Sequence, residues 1–130
     1  MDVHPDSLLG RAFAGEKTAR AKKEVLLQEL GAIQAELREA KALIASVERD
    51  TDGGRLAVAM CRVPILERRE QEYFVKLHNA DERVSDASQQ AGALWQAALA
   101  IEGRARGGCC RSEYERLEIE KQLLTYTQPV

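Results

Sequence analysis

The sequence predicts an all-α protein: an antiparallel two-helix coiled-coil hairpin with a short C-terminal third helix. Three observations carry that expectation. Apolar residues recur at alternating spacings of four and three in two long segments, the mark of a heptad seam. Between them, Asp50-Thr-Asp-Gly-Gly54 supplies turn-forming residues. Charged residues make up 31% and aromatics only 5%, a balance that suits long helices better than a thick, ring-filled core.

One domain is expected over 1–130, with helices at about 7–50, 55–106 and 112–127 and a turn at about 51–54. The first seam places Leu30, Leu37 and Ile44 at a, and Leu26, Ile33, Ala40 and Val47 at d. Counted backward, the frame meets Lys23, Ala19, Glu16, Ala12 and Leu9, so the seam is expected to weaken before Lys23 while the helix persists. Asp6 or Ser7 is the expected N-cap. Gly10, Gly15 and Gly31 each cost about 1 kcal/mol against Ala in a helix interior, which makes this helix depend on a partner.

The segment after Asp50 invites a calcium-loop reading. An EF-hand loop starting there needs an acid at position 5, Gly at 6 and Glu at 12; the chain has Gly54, Arg55 and Cys61. The turn reading stands instead, since Gly53 and Gly54 can take positive φ and Asp50 and Asp52 favour turns. Residues 55–63 could form a short strand, but the chain offers nothing to pair with it, so helix is expected. Pro64 either opens a helix at its first turn or kinks a continuous one, and the first is the more comfortable place for it.

The second seam runs Tyr73, Leu77, Ala80, Val84, Ala87, Ala91, Leu94, Ala98, Ile101, Ala105. Alanine holds half of it, which allows close approach but buries little area per residue. Trp95 should cover its edge. Gly103, Gly107 and Gly108 loosen the end of this helix. Ser112 with Glu115 forms a capping box that starts the third helix, which Pro129 ends. That helix carries Tyr114, Leu117, Ile119, Leu123 and Leu124, which do not share one narrow stripe, so it can present two apolar faces.

Chemistry is sparse. Cys61, Cys109 and Cys110 form no framework spacing, which points to reduced thiols and a cytoplasmic setting. With His4 and His78 they offer neither CxxC nor HxxxH, so neither a metal site nor any other cofactor is expected. His78 falls on a flank and His4 in a terminus expected to fray. An enzyme is not expected. With 19 Lys+Arg against 21 Asp+Glu there is no surplus field for a nucleic acid. No apolar run approaches a membrane span, and MDVHPDSLLGRAF lacks the basic-then-apolar order of a secretory signal.

The locally basic stretch Glu16–Glu24 (EKTARAKKE) reads as a docking face or as a solvated one. Taken with the hairpin and the tail from Arg104-Ala-Arg106 through Arg111-Ser-Glu-Tyr114-Glu-Arg-Leu117, the chain resembles the small coiled-coil stalk proteins of flagellar and type III secretion export ATPases, the FliJ/YscO type. The resemblance lies in the order of parts. It implies a non-enzymatic stalk or chaperone escort whose termini insert into the ATPase ring. Lys17, Arg20, Lys22 and Lys23, with Tyr114 and Leu117, would be the ring-facing residues. This chain is shorter than that family, and Gly107-Gly-Cys-Cys110 stands where the family has firm helix. The tail RSEYERLEIEKQ also resembles the C-terminal coiled coil of a small intraflagellar-transport adaptor subunit, which implies instead a subunit of a heteromeric transport complex.

Overall fold

Ser7 starts the first helix because its side chain supplies an acceptor that the backbone lacks. Its Oγ accepts the Gly10 N–H at 3.0 Å, as an N-cap oxygen does. The computed structural model describes residues 1–46, 53–107 and 112–129. Three helices occupy most of them: α1 (Leu8–Ser46), α2 (Gly53–Arg106) and α3 (Glu113–Thr127), with no strand among the described residues. Val47 and residues 48–50 of the expected first helix, 51–52 of the expected turn, and Cys109 and Cys110 lie outside them.

The two long helices pack closely as the expected antiparallel hairpin, followed by the short third helix. From Lys23 to Glu36 on α1 the partner numbers fall along α2: Lys23 meets Asp81, Glu29 meets Tyr73, and Glu36 meets Arg62. The chain divides into two compact units, Ala21–Asp81 and Met1–Arg20 with Glu82–Val130.

In the unit Ala21–Asp81 the seam carries leucines. Leu30, Leu37, Ala40, Ala59, Leu66, Leu77 and Ala80 are buried. The α2 frame continues backward from Tyr73 through Glu70, Leu66, Val63, Ala59 and Leu56, every one buried or half-buried. The 55–63 segment is thus helix, as expected. Pro64 corrects the expectation of an early-helix position: it is the twelfth residue of a continuous α2. An interior Pro removes one i→i−4 bond and crowds the preceding turn, at a cost of about 3 kcal/mol. Pro64 is exposed, while Val63 and Leu66 on either side of it stay in the seam, and burial of that seam holds the helix through the defect. Gly53 and Gly54 also depart from expectation. They are the first residues of α2, and neither has positive φ. First-turn N–H groups have no intrahelical acceptor, so glycine's weakness as a helix former matters least there.

The other unit holds the beginning of α1, the end of α2 and α3. Its α1 seam continues in the weakened form expected before Lys23, with one strong anchor at its start. Leu9 is fully buried, and Ala12, Glu16 and Ala19 are half-buried on the same frame. Ala91 and Ala98 are buried opposite; small side chains allow two helix axes to come close. Trp95 covers the seam's edge, as expected, with its ring centroid 5.8 Å from that of Phe13 at a 57° tilt, a geometry that aromatic pairs favour.

The amino-terminal segment is not frayed, contrary to expectation. The His4 N–H donates to the Thr127 carbonyl at 2.8 Å, and the Ser7 N–H to the His4 carbonyl at 3.0 Å. The Ser7 hydroxyl donates to that same His4 oxygen at 2.6 Å, and the Asp6 N–H donates to His4 Nδ1 at 3.0 Å. Ser7 and Thr127 are buried, and no buried polar side-chain atom among the described residues is without a partner. The fold-back explains Gly10. A methyl group there would lie 2.6 Å from the Pro5 carbonyl oxygen and closer still to that of His4. Glycine at this position is a packing requirement, not the helix penalty that propensity alone assigns.

Ser112 caps α3, its Oγ accepting the Glu115 N–H at 3.2 Å, and acidic Glu113 and Glu115 sit in the first turn, where the helix dipole favours them. Gln128 ends the helix in an extended conformation, φ −118 and ψ 152. The residue before a proline is pushed out of the helical region by the ring, and Pro129 does this here.

Candidate functional site

The hairpin unit fixes its register with polar pairs along its edges. Lys23 Nζ lies 2.6 Å from Asp81 Oδ1, Arg62 Nη2 3.2 Å from Glu36 Oε2, and Lys41 Nζ 3.6 Å from Glu67 Oε1. The Tyr73 hydroxyl donates to Glu29 Oε2 at 2.6 Å, and Lys76 Nζ stands 4.6 Å from the Tyr73 ring centroid. Pairs this exposed contribute about 0–1 kcal/mol each. A slip by one heptad keeps Glu36 opposite an arginine, Arg55 or Arg69, but removes Asp81 from Lys23, Tyr73 from Glu29 and Glu67 from Lys41.

The acidity of Tyr73 is displaced. The hydrogen bond to the Glu29 carboxylate is the main cause; desolvation and that carboxylate's charge add to it, Arg69 works against it, and the phenol is held above its usual 10.0. The phenol's pKa is higher folded than unfolded, so the contribution is complete below the unfolded value. It is lost as pH rises through the folded one. A tyrosinate absorbance titration of the folded chain should therefore show a late component that Tyr73→Phe removes. An identical curve for the variant would contradict the hydrogen bond.

The residues expected to meet a partner fall into two groups. Lys17 and Arg20 lie on α1 in the unit that also contains Tyr114 and Leu117. Lys17 is exposed, while Arg20 Nη2 is 2.7 Å from Glu16 Oε1. Lys22 and Lys23 belong to the hairpin unit. Lys22 is exposed, and Lys23 is half-buried against Asp81.

α3 shows the two faces that its sequence suggested. Ile119 and Thr127 are buried, with Leu123 and Tyr126 half-buried on the same side. Tyr114, at 74% exposure, Leu117, at 48%, and Leu124 form a separate open stripe at spacings three, four and three through Lys121. That stripe is bordered by Glu113, Glu118 and Glu120. Such a surface can grip another helix.

A second surface escaped the sequence reading. Arg55, Val58, Arg62, Ile65 and Arg69 recur at three-four spacing on α2, off the seam and all exposed. Val58 is 60% and Ile65 56% open to solvent. The signal was present in the basic residues at 55, 62, 69, 76 and 83, seven apart throughout, but a search for apolar periodicity passes over it. Beside this edge an open groove of about 330 Å³ runs between the helices, with Leu43 and Ala40 on one side and Arg55, Val58 and Arg62 on the other.

Cys61 is a free, exposed thiol on α2. Among the described residues no three His, Cys, Asp or Glu converge as a metal site, and no helix is long and apolar enough to cross a membrane. Comparison with protein-family models, curated proteins and solved structures finds no match to this chain.

Proposed function

We propose that this chain is a non-enzymatic, cytoplasmic coiled-coil interaction protein, a stalk or chaperone escort of the kind that serves a type III secretion export ATPase. The observation that carries the reading is the open Tyr114–Leu117–Leu124 stripe on a helix whose opposite face is committed to its own unit. Exposed tyrosine and leucine on a capped helix provide the anchor chemistry of a protein interface. The exposed cations Lys17 and Lys22 offer electrostatic steering toward an acidic partner. No cofactor, nucleic acid or membrane insertion belongs to this function.

The test is copurification with an export ATPase ring and stimulation of its ATP hydrolysis. The parent chain should do both, and Tyr114→Ala with Leu117→Ala should weaken binding at least about tenfold. No capture and no stimulation by the parent chain would refute the assignment. A second reading, a subunit of a heteromeric transport complex of the intraflagellar kind, draws on Leu27 and Phe74, both exposed on the hairpin unit. It expects helicity and melting temperature to rise when the partner chain is added.

A further inference from the structure

We propose that two copies of this chain associate through a contact between α3 of one copy and the 55–69 edge of α2 of the other. The contact uses the same Tyr114 and Leu117 stripe as the partner discussed above, so the two occupants would compete for it. Only the self-contact needs Arg62 and Arg69, and the charge variants there separate its failure from failure of that reading. Both surfaces are exposed and both mix apolar residues with charge. The acids that border the α3 stripe are opposite in sign to the arginines of the α2 edge, and the one cation on the stripe itself, Lys121, is held by Glu118 at 3.5 Å. On α2 the edge presents Arg62 and Arg69, seven residues apart, with Val58 and Ile65 interleaved. On α3 the open stripe is bordered by Glu113 and Glu120, also seven residues apart. Residues seven apart lie about two turns along a helix on one side, so the two pairs match in pitch.

Setting Glu113 against Arg62 and Glu120 against Arg69 lays the helices parallel. Leu117 then falls against Ile65, and Tyr114 toward Val58 and the groove beside Leu43. The charges are already occupied only loosely. Arg62 holds Glu36 at 3.2 Å, and Arg116 holds Glu113 at 3.4 Å and Glu120 at 3.8 Å, all with well-exposed side chains. Exposed pairs of this kind contribute little to stability, so exchanging them for intermolecular ones costs little. The Val58, Ile65, Tyr114 and Leu117 surface removed from water supplies the drive. Every copy carries one of each surface, so association either closes reciprocally or continues from copy to copy.

The test measures the mass of the full chain by light scattering over a range from roughly 1 to 100 micromolar, where contacts of about −8 to −5 kcal/mol become visible. The parent mass should rise with concentration and fall back with added salt, which screens exposed charges. R62E with R69E, and separately E113R with E120R, should each shift association at least tenfold to higher concentration. An equimolar mixture of these two variants should associate again, because each then offers the other the opposite charge. Tyr114→Ala with Leu117→Ala, on open positions that carry no part of the buried seam, should weaken association to a similar degree. A parent chain that stays at 14.5 kDa throughout overturns the proposal. So does association indifferent to the Tyr114 and Leu117 substitutions, or a mixture of folded charge variants that remains monomeric.

Discussion

Leu37→Asp is expected to abolish the cooperative thermal transition of the chain and to remove most of its far-ultraviolet helical signal. Leu37 is 6% exposed, in the middle of the leucine seam of the hairpin unit. Truncating a buried leucine alone costs about 2–5 kcal/mol. A carboxylate in its place adds the expense of an unpaired buried charge. A chain of this size has in total roughly 5–15 kcal/mol to lose, and a two-helix seam with many alanines places it toward the low end. Leu27→Asp is the control: the same change ten residues away, at a site 43% exposed and off the seam. It should leave the transition in place with a shift of about 1 kcal/mol or less. If both variants melt like the parent, the seam does not hold the helices together.

Gly10→Ala and Gly31→Ala should move stability in opposite directions. Propensity favours alanine at both by about 1 kcal/mol. At Gly31 nothing lies within 4 Å of the new methyl group, so the gain should be realised as about 4 °C in Tm. At Gly10 the methyl group collides with the Pro5 and His4 carbonyls. Relief requires the amino-terminal segment to lift, which loosens the Ser7 cap and the His4 bond to Thr127. The expected net cost is about 1–3 kcal/mol, with loss of amide exchange protection at His4 as the local sign. Equal stabilisation by both substitutions would mean that the fold-back does not form.

The hairpin was legible because one physical cause, burial of a heptad stripe, writes the same period along both helices. Leu30, Leu37, Leu77 and Ala98 were readable for that reason. Pro64 and Gly10 were misjudged because local propensity was weighed without the contacts that override it: at Pro64 the continuing seam, at Gly10 a carbonyl pair from the preceding segment. Sequence reading recognised the cap signals at Ser112 and Pro129, since those act within a few residues. The two-sidedness of α3 was visible from Tyr114, Leu117 and Ile119. Which side would be buried was not, because nothing in a short helix's own sequence says which of two apolar faces meets the rest of the unit. The Arg55–Arg69 edge went unread because its regularity is in charge, and charge on a helix commonly means only contact with water.

The alanines at 91 and 98 have a consequence for how this sequence is free to drift. At buried leucines such as Leu37 and Leu66, methionine or isoleucine can substitute at modest cost, since volume is roughly conserved. Where the buried residue is already alanine, almost every replacement is an enlargement, and each pries two backbones apart. Natural variation should therefore be permitted at the buried leucines and nearly frozen at the buried alanines, Ala40, Ala59 and Ala80 as much as Ala91 and Ala98, so the plainest side chains are the ones least able to change.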